Sequence, residues 1–354
     1  MKILIAVGAR PNFIKIEPII RVLKETDIKY YLVHTGQHYD WNMSQSFFEG
    51  LNIPEPDVNL DMCSSGYGSI GSMMDSFDNI LRQQNPDIVM VVGDVDSTLA
   101  CALTATRRGI KVAHIEAGCR SFDRSMPEEI NRVLTDQISD YCFCNTHSDV
   151  RNLTNEGIDH RKIYVTGNAM ADTLLHYILY TGKIYAPDSP FVLATFHRQS
   201  NVDNKESLQS ILEALKELSK DIPVIVPLHP RTKKRIEEFG FENYLKLTKD
   251  MVFTEPMNYL KFIKYLKNAK LVITDSGGVQ VEAAIVGTTC LTMRYNTEHE
   301  FTLAKGINTL VGTNKEYILS EANRVLYNKV KAIPFTNSLL DGKTAERIVN
   351  ILKE

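Results

Sequence analysis

Short apolar runs alternate along the chain with longer stretches in which apolar residues recur every three or four positions. Ile3–Val7 is an unbroken apolar run and reads as a buried strand. Pro11 follows where a first helical turn belongs, and Ile14, Ile16, Ile19, Ile20 and Leu23 carry the helix on. Tyr30–His34, Ile88–Val92, Val112–Ile115 and Tyr141–Cys144 are further strands, with helices expected near 68–83, 97–108, 127–138 and 146–156. The pattern then restarts. Phe191–Thr195, Val224–Pro227, Leu271–Thr274 and Thr289–Thr292 are strands, and helices fit at 203–218, 231–239, 257–268 and 279–286. Repeated strand-then-helix units predict an α/β fold with parallel sheets covered on both faces. The segment 181–190, with Gly182, Pro187 and Pro190, has few apolar anchors and suits a linker or loop. The expected architecture is two doubly wound domains facing a central cleft, 1–168 and 169–342. The last helix, 343–353, is a candidate to pack back on the first domain. Ligands of such sheets bind beyond the carboxyl ends of the strands, which makes the cleft the expected site.

Length supports the division: the chain has 354 residues, whereas single cores stop growing at roughly 250–300. A net charge of −3 and the lack of an aromatic-basic stripe give no reason to expect nucleic acid. No stretch approaches the ~20 apolar residues of a membrane helix. Met1–Val7 is short and lacks a basic leader, so no signal peptide is expected. Cysteines at 63, 101, 119, 142, 144 and 290 make no CxxC and no metal spacing. They read as buried free thiols of a cytoplasmic protein, with no metal and no cofactor expected.

Polar residues just after strands are the candidates for chemistry. Gly8-Ala9-Arg10-Pro11-Asn12 opens a helix, with Lys15 on its first turns. This is not GxGxxG, so a standard dinucleotide site is not expected, yet a glycine turn, an arginine and a helix N-terminus suit an anion. Asp94 follows the strand ending at Val92, and Asp96 reads as a cap of the next helix. Glu116 ends another strand between apolar neighbours, where a carboxylate usually has a job or a tight partner. In Pro127-Glu128-Glu129-Ile130-Asn131-Arg132, helix-start preferences alone account for both glutamates. In the second half, His197, His229 and Ser276-Gly277-Gly278 each follow a strand, and Glu282 lies one turn further on. The Ser-Gly-Gly start offers backbone N–H groups to a diphosphate, and Glu282 could accept from ribose hydroxyls.

With these residues in view, the chain resembles the non-hydrolysing UDP-N-acetylglucosamine 2-epimerases nearly end to end. Eight ordered motifs carry the resemblance: GARPNFIK (8–15), HTGQHYD (34–40), VGDVDSTLA (92–100), HIEAGCRSFDRSMPEEINR (114–132), HR with NVD (197–203), HPRT (229–232), TDSGGVQVEA (274–283) and NTLVG (308–312). It implies two Rossmann-like domains of the glycosyltransferase-B-like kind. UDP would lie on His229, Ser276, Gly277, Gly278 and Glu282, with Arg10 reaching its phosphates. Lys15, Asp94, Glu116, Glu128, Arg132 and His197 match positions that the family places around the sugar. It also implies a homodimer, and regulation by substrate at a second site near Gln37 and His38. Asn12 stands where one branch commonly has a glutamate, Val281 stands where a glutamate is common before Glu282, and Thr297-Glu298-His299-Glu300 stands where many members have Thr-Glu-Arg-Pro. The family includes enzymes of other UDP-2-acetamido sugars, such as diacetamido-uronic acids, so the loop bears on which sugar is used.

The expected reaction is C2 epimerisation, most simply UDP-GlcNAc to UDP-ManNAc, with UDP leaving and returning. Asp94, Glu116 and Glu128 are the acid and base candidates, and His197 could position or protonate the departing phosphate. Clustered carboxylates are expected to raise one another's pKa. A glycosyltransferase, a hydrolysing relative and a non-catalytic UDP-sugar sensor are the rival readings.

Overall fold

The computed structural model describes residues 1–36, 51–60, 67–246, 250–327, 334 and 338–354. The chain divides into two compact units, 1–176 with 337–354, and 177–336.

The first unit is built on a parallel sheet of β1 (Lys2–Val7), β2 (Lys29–His34), β3 (Val58–Asn59), β4 (Ile88–Val92), β5 (Lys111–Ala117), β6 (Tyr141–Cys144) and β7 (Ile163–Val165). Their spatial order is β3-β2-β1-β4-β5-β6-β7. Every residue of β4 is buried, as a strand covered on both faces requires. The chain winds outward in both directions from β1 and β4, so the switch point lies beyond Val7 and Val92. β5 runs further than its apolar pattern suggests. Its pairing with β6 slips between Ile115 and Ala117, and Glu116 sits in that slip at φ +75°.

The second unit repeats the plan with β8 (Val192–Thr195), β9 (Val224–Pro227), β10 (Met251–Thr254), β11 (Leu271–Thr274), β12 (Cys290–Thr292) and β13 (Asn308–Leu310). Their order is β10-β9-β8-β11-β12-β13, with the switch point beyond Thr195 and Thr274. The helix Lys205–Leu218 shows how sequence becomes packing here. Asn204 caps it by accepting from Ser207 N at 2.8 Å. Leu208, Ile211, Leu212, Leu215 and Leu218 then form one buried stripe.

Among the described residues, four strands escape the sequence pattern, β3, β7, β10 and β13, and all four are sheet edges. An edge strand is half exposed and short, so it needs no continuous apolar run. The helices Ala169–Tyr177 and Lys315–Tyr327 are likewise unread. The first of them, up to His176, falls with the first unit, whereas a boundary at 168/169 puts it in the second. Thr173 Oγ1 donates to Ile14 O at 2.6 Å, and Asp172 accepts from Ala345 N at 2.9 Å. The latter bond ties in the final helix, Thr344–Lys353, which packs on Arg10–Leu23. No described helix is long and apolar enough to cross a membrane. The five described cysteines, 101, 119, 142, 144 and 290, are free and buried, and Cys63 lies outside the described residues.

Candidate active site

At the switch point of the first unit, acids and cations alternate. Lys15, on the helix after β1, pairs with Glu116 at the end of β5, both side chains nearly buried. Burial works against the Lys15 charge, but Glu116 and then Asp94 outweigh it and hold the ammonium above its ordinary range. Asn145, just after β6, donates to the other oxygen of Glu116 at 3.4 Å. Asp94 takes Arg132 Nη2, and Arg132 Nη1 donates to Glu129 at 2.9 Å. The cluster expected to hold carboxylates against one another is therefore interleaved with cations, so mutual repulsion is not its organising force.

The supports of this cluster come from residues that the sequence reading passed over or assigned elsewhere. Asn12 accepts from Ala9 N at 2.9 Å and donates to Val92 O at 3.0 Å, tying the first turn to β4. Asn131 donates to Asp94 O at 2.9 Å and to Asp96 Oδ1 at 3.0 Å. Asp96 is thus the first helical residue and an acceptor for Asn131, while Val95 is the cap. Glu129 is buried and accepts from Ser121 N at 2.9 Å and Phe122 N at 2.8 Å. Burial raises its carboxyl, but these N–H groups and Arg132 bring it below its usual value. Helix-start preference explains why two glutamates follow Pro127, but only the structure shows that Glu129 is a strut. Glu128 lies on the same helix, one turn before Asn131 and Arg132 and on their side. The backbone of Arg10 opens its helix, and its side chain lies outside the described residues, as do Gln37 and His38.

In the second unit, β8, β9 and β11 deliver His197, His229 and Ser276. The two imidazoles stack with centroids 4.9 Å apart. His229 caps the helix Pro230–Glu238 through Nδ1, which accepts from Arg231 N at 3.2 Å. Ser276 is the cap residue of the helix Gly277–Val286. A Cβ at Gly277 would come within 2.6 Å of Glu298 Oε1, so a larger residue there would push the Glu298 carboxylate aside. Glu298 itself pairs with Arg294 at 2.7 Å and lies 3.6 Å from Arg198. Glu282 is buried and accepts from Tyr259 OH at 2.9 Å.

Asp275 organises this end and was not singled out by the sequence. It has no exposed surface and accepts from His197 N at 3.0 Å, Arg198 N at 2.9 Å and Asn201 Nδ2 at 3.1 Å. Its place between a strand and Ser-Gly-Gly was a signal, but its partners lie over seventy positions away and leave no local trace.

Each unit therefore presents polar side chains at the carboxyl ends of its central strands. One offers paired acids and cations; the other offers two histidines and a glycine-rich helix start. A family profile described as UDP-N-acetylglucosamine 2-epimerase matches residues 21–353. The UDP-N-acetylglucosamine 2-epimerase of Methanocaldococcus jannaschii is 45% identical over 364 residues, covering 99% of each chain. The UDP-2,3-diacetamido-2,3-dideoxy-D-glucuronate 2-epimerase of Pseudomonas aeruginosa is 44% identical, covering 92% of each. A crystal structure of the M. jannaschii enzyme in complex with UDP-GlcNAc and UDP superposes with a TM-score of 0.92, over 100% of this chain and 99% of that one, at 44% identity. The ordered motifs, the paired parallel sheets and these matches agree: the chain belongs to the UDP-N-acetylglucosamine 2-epimerase family.

Proposed function

We propose that this enzyme inverts C2 of a UDP-2-acetamido sugar, UDP-N-acetylglucosamine to UDP-N-acetylmannosamine, by eliminating UDP and adding it back. The observation that carries the reading is the placing of Asp94 just past β4 and of Glu116 at the end of the adjacent strand β5, each with its own cation. C2 has no neighbouring carbonyl, so its proton is not acidic in the ground state. Breaking the C1–O bond sends that electron pair to the phosphate oxygen and builds positive charge on the ring, which acidifies C2–H. A carboxylate takes the proton and a C1=C2 double bond forms. A second acid returns a proton to the opposite face of C2, and the UDP oxygen adds to C1.

The second unit would hold UDP. The Ser276–Gly278 helix start and His229 would stabilise the diphosphate as its charge grows, with Arg10 assisting. His197, stacked on His229, would orient or protonate the leaving oxygen, and Glu282 would accept from the ribose. In the first unit, Asp94, Glu116 and Glu128 would supply the acid and base, with Lys15 and Arg132 holding the first two in place. A homodimer in the cytoplasm, feeding cell-surface polysaccharide synthesis, goes with this reading; sedimentation and cell fractionation test those points.

The test is proton NMR in deuterated water with UDP-N-acetylglucosamine and no acceptor. The expected result is exchange at C2 with formation of the epimer and no build-up of free UDP. Asp94→Asn and Glu116→Gln should abolish the exchange while UDP still binds. Full exchange in both variants would refute their roles, and accumulating UDP would favour a hydrolysing enzyme. The P. aeruginosa relative supports a second reading, a diacetamido-uronic acid as the sugar. Faster turnover of that substrate in the same assay would establish it.

A further inference from the structure

His114 has no exposed surface and takes no part in the reaction as drawn. Its ring nevertheless joins the two loops that carry the acids. Nε2 lies 2.8 Å from the carbonyl oxygen of Gly93, the residue before Asp94. Nδ1 lies 2.6 Å from Asp136 Oδ1. The other oxygen of Asp136 accepts from Gly118 N at 3.1 Å, two residues beyond Glu116. Regular pairing of β4 with β5 ends at Val92 and Ile115, with Gly93 N still donating to Ile115 O at 3.0 Å. Past that point Gly93, Glu116 and Gly118 all have positive φ, so strand geometry no longer sets their spacing. The His114–Asp136 pair spans the place where the ladder stops.

The hydrogen-bond inventory fixes the chemistry of the pair. A backbone carbonyl only accepts. Burial pushes Asp136 up, but His114 and Arg120 outweigh it and hold it below the usual carboxylate range, so it too only accepts. Nε2 of His114 therefore donates to Gly93 O, Nδ1 faces the Asp136 carboxylate, and the ring is anchored at both ends. Arg120 pairs with Asp136 at 2.7 Å and with Glu156 at 2.6 Å. Arg120 thus bridges the two carboxylates, which makes the buried charge of Asp136 tolerable.

We propose that His114, acting through Asp136, is a positioning residue that sets the separation of Asp94 and Glu116. The proposal rests on the elimination reading above. If the acids must approach C2 from defined directions, a shift of about 1 Å between their loops is enough to cost ~100-fold in rate. The substrate's nucleotide, held by the other unit in that reading, would hardly notice.

The test compares His114→Gln, Asp136→Asn and Glu116→Gln with the wild type, using UDP-N-acetylglucosamine. It measures kcat and KM for epimerisation, UDP affinity by calorimetry, and thermal midpoints. The expected result for the first two variants is a fall in kcat of about 100-fold, with KM and UDP affinity little changed. A network that only stabilises the fold would lower the thermal midpoint and leave kcat of the folded fraction intact, and that outcome overturns the proposal. Wild-type epimerisation by Glu116→Gln would instead overturn the elimination reading itself. Should the His114 and Asp136 variants fail to fold, nitrogen-15 NMR of the wild-type ring decides. A slowly exchanging proton on Nε2, hydrogen-bonded to the Gly93 carbonyl, is expected, and an Nε2 without a proton overturns the proposal.

Discussion

Glu116 occupies a backbone conformation that side chains with a Cβ avoid, at a cost of about 1–3 kcal/mol. The strain is tolerated because Lys15 and Asn145 fix the carboxylate from two sides. Its effect reaches a neighbour. Asp149 is buried as the N3 acceptor of a helix capped by Thr146. Burial, with the charge of Glu116 adding, pushes its carboxyl up to about 6. An unfolded aspartate releases its proton near pH ~4. Between those values the folded chain binds the extra proton, so stability from this group is full below the window and falls as pH rises through it. Asp149→Asn keeps an acceptor for Thr146 N and removes the charge. It should stabilise the protein at pH 7 by on the order of 2–3 kcal/mol and flatten the slope between pH 4 and 6. Thermal midpoints measured across that range check this, and an unchanged slope would sink the assignment. In the Glu116→Gln background the Asp149 effect should shrink.

At the scale of elements, the second unit depends on how the turn after β8 is fastened to β11. Asp275 does this with three backbone or amide donors and a further contact, His197 Nδ1 at 3.4 Å. Asp275→Ala would leave the His197 and Arg198 amides without an acceptor. The expected cost is about 1–3 kcal/mol for the orphaned groups, together with weaker UDP binding because His197 and the Ser276 helix start lose their common anchor. Urea denaturation and calorimetry with UDP measure both, and unchanged UDP affinity in a destabilised variant would make Asp275 a stability residue alone. The same element marks how far the sequence could be read. Apolar runs announce interior strands because both faces are covered, so β1, β4, β8 and β11 were visible, and with them the helix carrying Lys15 and the turns carrying Asp94, His197 and Ser276. The edge strands β3, β7, β10 and β13 lack that signature. Struts such as Asn145 and Asp275 are defined by partners distant in sequence, and no periodicity encodes such a pairing. Glu128 and Glu129 looked equivalent because helix-start preference favours an acid at either position.

For the whole molecule, the consequential feature is that the chain leaves the first unit at 176 and returns to it at 337. The closing helix Thr344–Lys353 buries Ala345, Ile348, Val349 and Leu352, and Arg347 donates to Thr166 O at 3.0 Å. The first unit's core is therefore completed only by the returning segment 337–354, whereas the second unit's core is continuous in sequence. Ile348 has no exposed surface, and Ile348→Ala should cost about 2–5 kcal/mol through lost burial and the cavity left behind. If each unit is stabilised by its own core, that loss belongs to the first unit. Amides of the Arg10–Leu23 helix, on which the closing helix packs, should then exchange faster with solvent deuterium, while amides of β8 and β11 keep wild-type protection. Equal acceleration throughout the chain would mean that the two units unfold as one, and the independent stability of the second unit would have to be given up.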